Sequence, residues 1–251
     1  MTFPFDLSTK DAVTWLRELP DASVDVVIAD PAYESLEKHR AIGTTTRLKH
    51  SKSSSNDWFA IFPNARFGEL FRGVYRVLKP NSHFYLLCDA ETMFVAKPEA
   101  EQAGFRFWKP LVWDKCSIGM GYHYRARYEF ILFFEKGKRR LNDLGTADIL
   151  AIPRIRGGYP AEKPPEVAEV LINQSSSPGD VVADPFMGSG SVGVAAGRLG
   201  RRFLGNDLNP DAVRIAARRL REFGQGCVPA DLPADPQSEQ PDLLGSIATQ
   251  R

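Results

Sequence analysis

Along most of this chain the apolar residues come in short runs, separated by stretches with helical spacing. SVDVVIAD (23–30), HFYLLCD (83–89), YEFILFFEKG (128–137) and VVAD (181–184) are apolar at most interior positions. Runs of that kind suit strands covered on both faces. FRFWKPLVWDK (105–115) and RRFLGND (201–207) read as two further strands. DAVTWLRELPDAS (11–23) instead places apolar residues at 12, 13, 15, 16 and 19 before Pro20, the pattern of an amphipathic helix with a stop. Helices are also predicted over 58–78, over 91–104 with Gly104 closing it, over PPEVAEVLINQ (164–174), after the glycine loop at 188–193, and over NPDAVRIAARRLREFG (209–224).

Strands alternating with helices predict an α/β architecture: three Rossmann-like layers around a mostly parallel sheet. Residues 34–57 lack any apolar period, and a polar loop of that length in a compact domain is usually functional or disordered. One catalytic domain over 1–223 accounts for the patterned part. From 224 to 251 the chain is rich in Pro, Asp, Gln and Ser and reads as a disordered tail.

Composition narrows the picture. Of 251 residues, 43% are hydrophobic and 25% charged, enough for one sizeable core. The net charge of +1 does not by itself point to a polyanionic partner. It hides an uneven distribution, however: residues 97–156 hold twelve Lys/Arg against seven Asp/Glu. Three cysteines without a CxxC pair and four histidines without ligand spacing argue against a disulfide framework or a metal site. The absence of a signal-like segment or bilayer-length apolar run points to the cytoplasm, alongside the nucleoid if the partner is DNA.

Two of the strand-like runs end alike, in DPAY (30–33) and DPFMGSG (184–190). In a parallel sheet ligands lie beyond the carboxyl ends of strands, so both acids face a binding crevice. Gly188, Gly190 and Gly193 satisfy G-x-G-x-x-G between a strand and a helix, and Asp207 ends the next strand, placed to take ribose hydroxyls. A nicotinamide dinucleotide is one reading. Asp184 opposes it, because a carboxylate at the mouth of the loop repels a pyrophosphate. The same carboxylate suits S-adenosyl-L-methionine, which carries an ammonium, a sulfonium and a ribose but no phosphate.

The DPAY tip suggests the other substrate. An exocyclic amine on a nucleobase is a poor nucleophile, because its lone pair is delocalised into the ring. Acceptors on both N–H groups, Asp30 and the Pro31 carbonyl, would turn the lone pair toward an incoming methyl group. Tyr33 would stack on the base, worth roughly 1–3 kcal/mol, against the few kcal/mol needed to flip it.

Taken together these motifs resemble the amino-group DNA methyltransferases that modify adenine N6 or cytosine N4. DPAY matches their catalytic motif and DPFMGSG their cofactor motif, while GNDLNPDAV (205–213) matches the acidic end of the next strand. The catalytic motif comes first, as in the beta group of the family. The resemblance therefore implies a permuted, seven-stranded sheet with one antiparallel strand. It also implies that Asp11 lies near the cofactor's adenine, that Lys163 of YPAEKP (159–164) belongs to the cofactor region, and that Phe186, with Asp184, Gly188, Gly190 and Asp207, holds the cofactor. Aspartate rather than serine at position 30 favours adenine N6 over cytosine N4. RNA as the substrate and a non-catalytic DNA-binding partner are the remaining alternatives.

Three features depart from the family pattern. Ala32 replaces a second proline, Tyr159 replaces a histidine, and the recognition insert is short. Double-stranded DNA contact is therefore expected from loops 37–57 and 137–158 and from Arg125, Arg127, Lys138, Arg139, Arg140, Arg154 and Arg156. The resemblance allows a homodimer, which nothing in the sequence requires.

Overall fold

A computed structural model describes residues 3–35, 60–119, 124–155 and 162–224. In chain order its strands are β1 (Phe5–Thr9), β2 (Val24–Ala29), β3 (Leu78–Cys88), β4 (Arg106–Asp114), β5 (Tyr128–Lys136), β6 (Ile149–Ala151), β7 (Val181–Asp184) and β8 (Arg202–Asp207). The helices are α1 (Ala12–Glu18), α2 (Phe67–Val77), α3 (Ala90–Gln102), α4 (Pro165–Ser175), α5 (Ser191–Arg198) and α6 (Pro210–Gly224). The expected loop at 37–57 and the tail beyond 224 lie outside the described residues, as does most of the segment around Tyr159.

The sheet runs β1-β8-β7-β2-β3-β5-β4-β6. Only β5 is antiparallel to its neighbours, β3 and β4; the other described pairings are parallel. The α/β expectation holds, with eight strands rather than seven. The extra one is β6, three residues long, which pairs along β4 while Leu150 packs inward and Trp113 Nε1 donates to Ile152 O at 2.8 Å. Both β1 and β6 lie at sheet edges and are too short to carry a readable period.

Side chains of the central strands alternate between two cores. Val24, Val27, Ala29, Phe84, Leu86, Leu132 and Phe134 face α1, α2 and α3. Val26, Ile28, Tyr85, Leu87, Ile131 and Phe133 face α4, α5 and α6. Burial on both faces is why these strands read as runs. The helix expected over 58–78 is shorter in fact. Pro63 disfavours helical backbone at Phe62, a single 3-10 turn follows at Asn64–Arg66, and α2 begins at Phe67. Phe62 stays outside the helix, its N–H bonded to Ala32 O at 2.9 Å. Among the described residues no helix is long and apolar enough to cross a membrane.

From β2 the chain moves to β3 on one side, and from β7 it moves to β8 on the other. Adjacent strands whose connections diverge open a crevice at their carboxyl ends. Here those ends are Asp30, just beyond β2, and Asp184, the last residue of β7.

Candidate active site

Asp30 and Asp184 line one cavity of about 290 Å³. The β2–β7 register, Val26 opposite Val182 and Val27 opposite Ala183, brings the two strand tips side by side. Pro31, Tyr33, Asp11, Lys163, Phe186, Gly188 and Asp207 line the same cavity. The structure therefore gathers the expected catalytic and cofactor residues around one space; Gly190 stands at the head of α5, immediately beyond Ser189 in the cavity wall.

On the catalytic side, Tyr33 donates its hydroxyl to Asp30 Oδ1 at 2.9 Å. Burial, reinforced by the neighbouring Asp30 charge, pushes the Tyr33 phenol well above its usual range and keeps it a donor. Ala32 O is engaged by Phe62. The loop is pinned beyond Tyr33 as well: Glu34 accepts from Asn64 N at 2.8 Å and Ser35 Oγ donates to Asp89. Asp89 in turn caps α3 through Thr92 N. The restraint lost with a second proline at position 32 is thus matched by bonds to neighbouring segments.

Lys163 lines the cavity and meets two acids there. Its ammonium lies 2.7 Å from Asp30 Oδ2 and 3.3 Å from Glu129 Oε2, the latter an ion pair without hydrogen-bond geometry. Burial acts to discharge Lys163, but Asp30 and Glu129 outweigh it and hold the group above its ordinary value. The side chain assigned from the motif to the cofactor region is held in this cavity by two acids, Asp30 and Glu129.

On the cofactor side, Gly188 and Gly190 adopt φ values of 51° and 84°, the left-handed region that favours glycine. Asp207 secures the loop directly: its Oδ2 accepts from Gly188 N and its Oδ1 from Asn209 N. Asn206, fully buried, bonds Lys10 O and Pro185 O and so ties β1 to the loop. Asp184 accepts from Phe186 N at 2.9 Å and is 2% exposed. Burial pushes its carboxyl well up, and the charges of Asp30 and Asp207 add to this. Such a group calls for a cation beside it. Asp11 caps α1 through Thr14 N and pairs with Arg66 at 2.7 and 2.9 Å. Chiefly through that bond, its pKa is lowered to about 2.

The basic residues divide. β5 starts at the cavity end of the sheet and finishes at the other, since Phe130 pairs with Cys88 and Lys136 with Ser82. At ~3.3 Å per residue, Lys138, Arg139 and Arg140 are carried about 20 Å from the cavity end. Lys138 N bonds Asn81 and Arg139 N bonds Glu135, fixing them there. Sequence proximity to the recognition segment pointed to DNA contact for these residues; the direction of β5 places them at the end of the sheet away from the cavity. Arg125 and Arg127 precede β5 and stay at the cavity end, as does Arg154 beyond β6. Arg127 is paired in fork geometry with Asp114 at 2.7 Å, and Arg125 Nε donates to Gly119 O. Arg156 is outside the described residues. The exposed side chains of Ile118, Tyr124, Tyr128 and Ile155 belong to the same end.

Glu129, Phe62, Arg66 and Glu162 line the cavity without having been singled out. Glu129 alone left a legible trace, one acid at the mouth of the most apolar strand. Phe62 packs edge-on against Phe186, with ring centroids 5.2 Å apart, a contact no local pattern encodes.

Fold and site together are those of the methyltransferase class, with two acidic strand tips on one crevice. The model of the DNA methylase family matches residues 24–218, and the chain belongs to that family. It is 27% identical over 236 residues to the type II methyltransferase M2.DpnII of Streptococcus pneumoniae, covering 84% of this chain and 87% of that protein. It is 26% identical over 250 residues to the DNA adenine methyltransferase YhdJ of Escherichia coli K12, covering 84% and 80%. In fold it is similar to the M1.HpyAVI–SAM complex, with a TM-score of 0.64, 22% identity, and coverage of 86% of this chain and 99% of that one.

Proposed function

We propose that this protein methylates the N6 amine of adenine in a short sequence of duplex DNA, with S-adenosyl-L-methionine as the donor. The observation that carries this reading is the single cavity between Asp30 and Asp184 at the switch point of the sheet. The donor set fits the cofactor: a buried carboxylate for an ammonium, a second at Asp207 for the ribose, and a glycine loop for close approach. S-adenosyl-L-methionine, when bound, supplies an electrophilic methyl group on its sulfonium.

The remaining chemistry is done by the chain. Asp30 accepts one amine hydrogen, and the Pro31 carbonyl the other, which draws the nitrogen out of conjugation. Tyr33 lines the base side of the cavity and fixes the Asp30 carboxylate through its hydroxyl. The methylated nitrogen is strongly acidic, so its proton leaves without a strong general base. Positioning and electrostatics therefore account for the rate. The name of one relative, the DNA adenine methyltransferase YhdJ, together with aspartate at position 30, favours adenine N6 over cytosine N4. DNA contact falls to the cavity-end group, Arg125, Arg154 and the exposed tyrosines.

Labelled-methyl transfer to unmethylated DNA, followed by nucleoside analysis, tests this. N6-methyl-2′-deoxyadenosine product from the wild type, its loss in Asp30→Ala, and unchanged cofactor affinity in that variant are expected. N4-methylcytosine, or no transfer, would overturn it.

A further inference from the structure

Asp30 is held by two neighbours, Tyr33 and Lys163. We propose that Lys163 and Glu129 are positioning residues: Lys163 fixes the Asp30 carboxylate in the orientation that receives the target amine, and Glu129 holds Lys163 in place. This rests on the reading of Asp30 as the amine acceptor.

The geometry supports it in three steps. A carboxylate oxygen carries two acceptor sites. Tyr33 O–H occupies one on Oδ1 at 2.9 Å, and Lys163 Nζ one on Oδ2 at 2.7 Å. Both oxygens are thus tethered, which stops rotation of the group, and each retains a site for the substrate. Lys163 is itself seated by Glu129 Oε2 at 3.3 Å and lies 6.0 Å over the Trp113 ring. Glu129 is anchored in turn, its Oε1 2.6 Å from Lys115 Nζ. The chain of contacts starts on β4 and β5, elements of the rigid sheet, and ends at the reacting nitrogen's partner.

Charge explains why a lysine serves. Asp30, Glu129, Asp184 and Asp207 all line the cavity. A neutral tether would leave Asp30 and Glu129 repelling one another in a poorly solvated space. An ammonium between them cancels that repulsion and presents a short, strong donor to Asp30. Two acids already neutralise this ammonium, and its shortest contact is to Asp30, which is why the positioning role is set beside the cofactor assignment that the motif suggests.

Three variants and one double variant test it, using single-turnover methyl transfer to duplex DNA at saturating cofactor and calorimetry for cofactor affinity. Lys163→Met is expected to slow transfer about a hundredfold, the scale of a misplaced reacting group, with cofactor Kd unchanged. Lys163→Arg should recover most of the rate. Glu129→Gln, which keeps shape and loses charge, should slow transfer roughly tenfold or more and have no added effect in the Lys163→Met background. A Lys163→Met chain that weakens cofactor binding but transfers at the wild-type rate when saturated would overturn the proposal, as would wild-type turnover in Glu129→Gln. If Lys163→Met fails to fold, Lys163→Arg and Glu129→Gln decide alone. A wild type that transfers no methyl would remove the underlying function instead.

Discussion

Arg219, on the last helix, lies 2.5 Å from Glu162 and at the same time reaches Ser189 Oγ at 3.2 Å and Ser191 Oγ at 3.4 Å. One guanidinium thereby joins the glycine loop to the residue preceding Lys163. Both partners of the ion pair are largely buried, with side-chain exposures of 15% and 7%. Breaking a buried pair by removing one member costs about 3–5 kcal/mol. Arg219→Met is expected to lower the denaturant midpoint and to weaken cofactor binding, because the loop loses its brace. Adding Glu162→Gln should restore part of the stability. Chemical denaturation and calorimetry on the four chains of the cycle check both effects.

Much of this site could be read from local patterns and part of it could not. The tips DPAY and DPFMGSG were legible because each couples an apolar run to a turn, and both features are local. Asp207 was legible as the acid ending the next strand, although its bonds to Gly188 and Asn209 were not. Glu129, Phe62 and Arg219 reach the site through tertiary packing from β5, the stretch before α2, and α6. Apart from the lone acid that Glu129 sets at the mouth of an apolar strand, no local pattern predicts that. Lys138, Arg139 and Arg140 show the converse: a clear charge cluster whose location depends on strand direction, which β5 reverses.

Gly193 separates the cofactor-loop reading of G-x-G-x-x-G from a packing one. A Cβ at this position would lie 2.7 Å from Phe203 Cε1 and 2.8 Å from Phe203 Cδ1, inside contact distance. Phe203 is fully buried in β8 and has little room to yield. Gly193→Ala is expected to destabilise the fold by about 1–3 kcal/mol, the range for overpacking a core. Cofactor affinity of the folded fraction should change little. Urea titration beside calorimetry would show the split, and a loss of affinity without a loss of stability would contradict it.

His83 makes stability depend on pH. It is fully buried on β3, with Nδ1 2.8 Å from Ser175 Oγ and Nε2 3.1 Å from Arg139 O. Burial is the main cause that lowers its pKa from 6.5 to about 4. Between those values the unfolded chain binds a proton that the folded chain refuses. This contribution is therefore complete above pH 6.5 and declines as pH falls toward 4, by on the order of 3 kcal/mol. Urea midpoints measured from pH 7 to 4 should show that decline. In His83→Phe the starting stability should be lower, from the lost bonds, and the slope across this window flatter.

The division of the basic residues makes the last prediction. Each phosphate neutralised by Lys or Arg releases counterions, so the slope of log affinity against log salt counts the contacts. Arg154 stands at the cavity end of the sheet, whereas Lys138 and Arg140 stand at the other. A duplex whose base enters the cavity covers the first end. Arg154→Ala is expected to weaken duplex binding at low salt and to reduce the slope by about one. Lys138→Ala combined with Arg140→Ala should leave both quantities at wild-type values, although it removes twice the charge. Fluorescence anisotropy with a labelled duplex across a salt series measures this. A larger effect from the double variant would mean that DNA runs along the far end of the sheet, and that charge near the recognition segment outweighs the direction of β5.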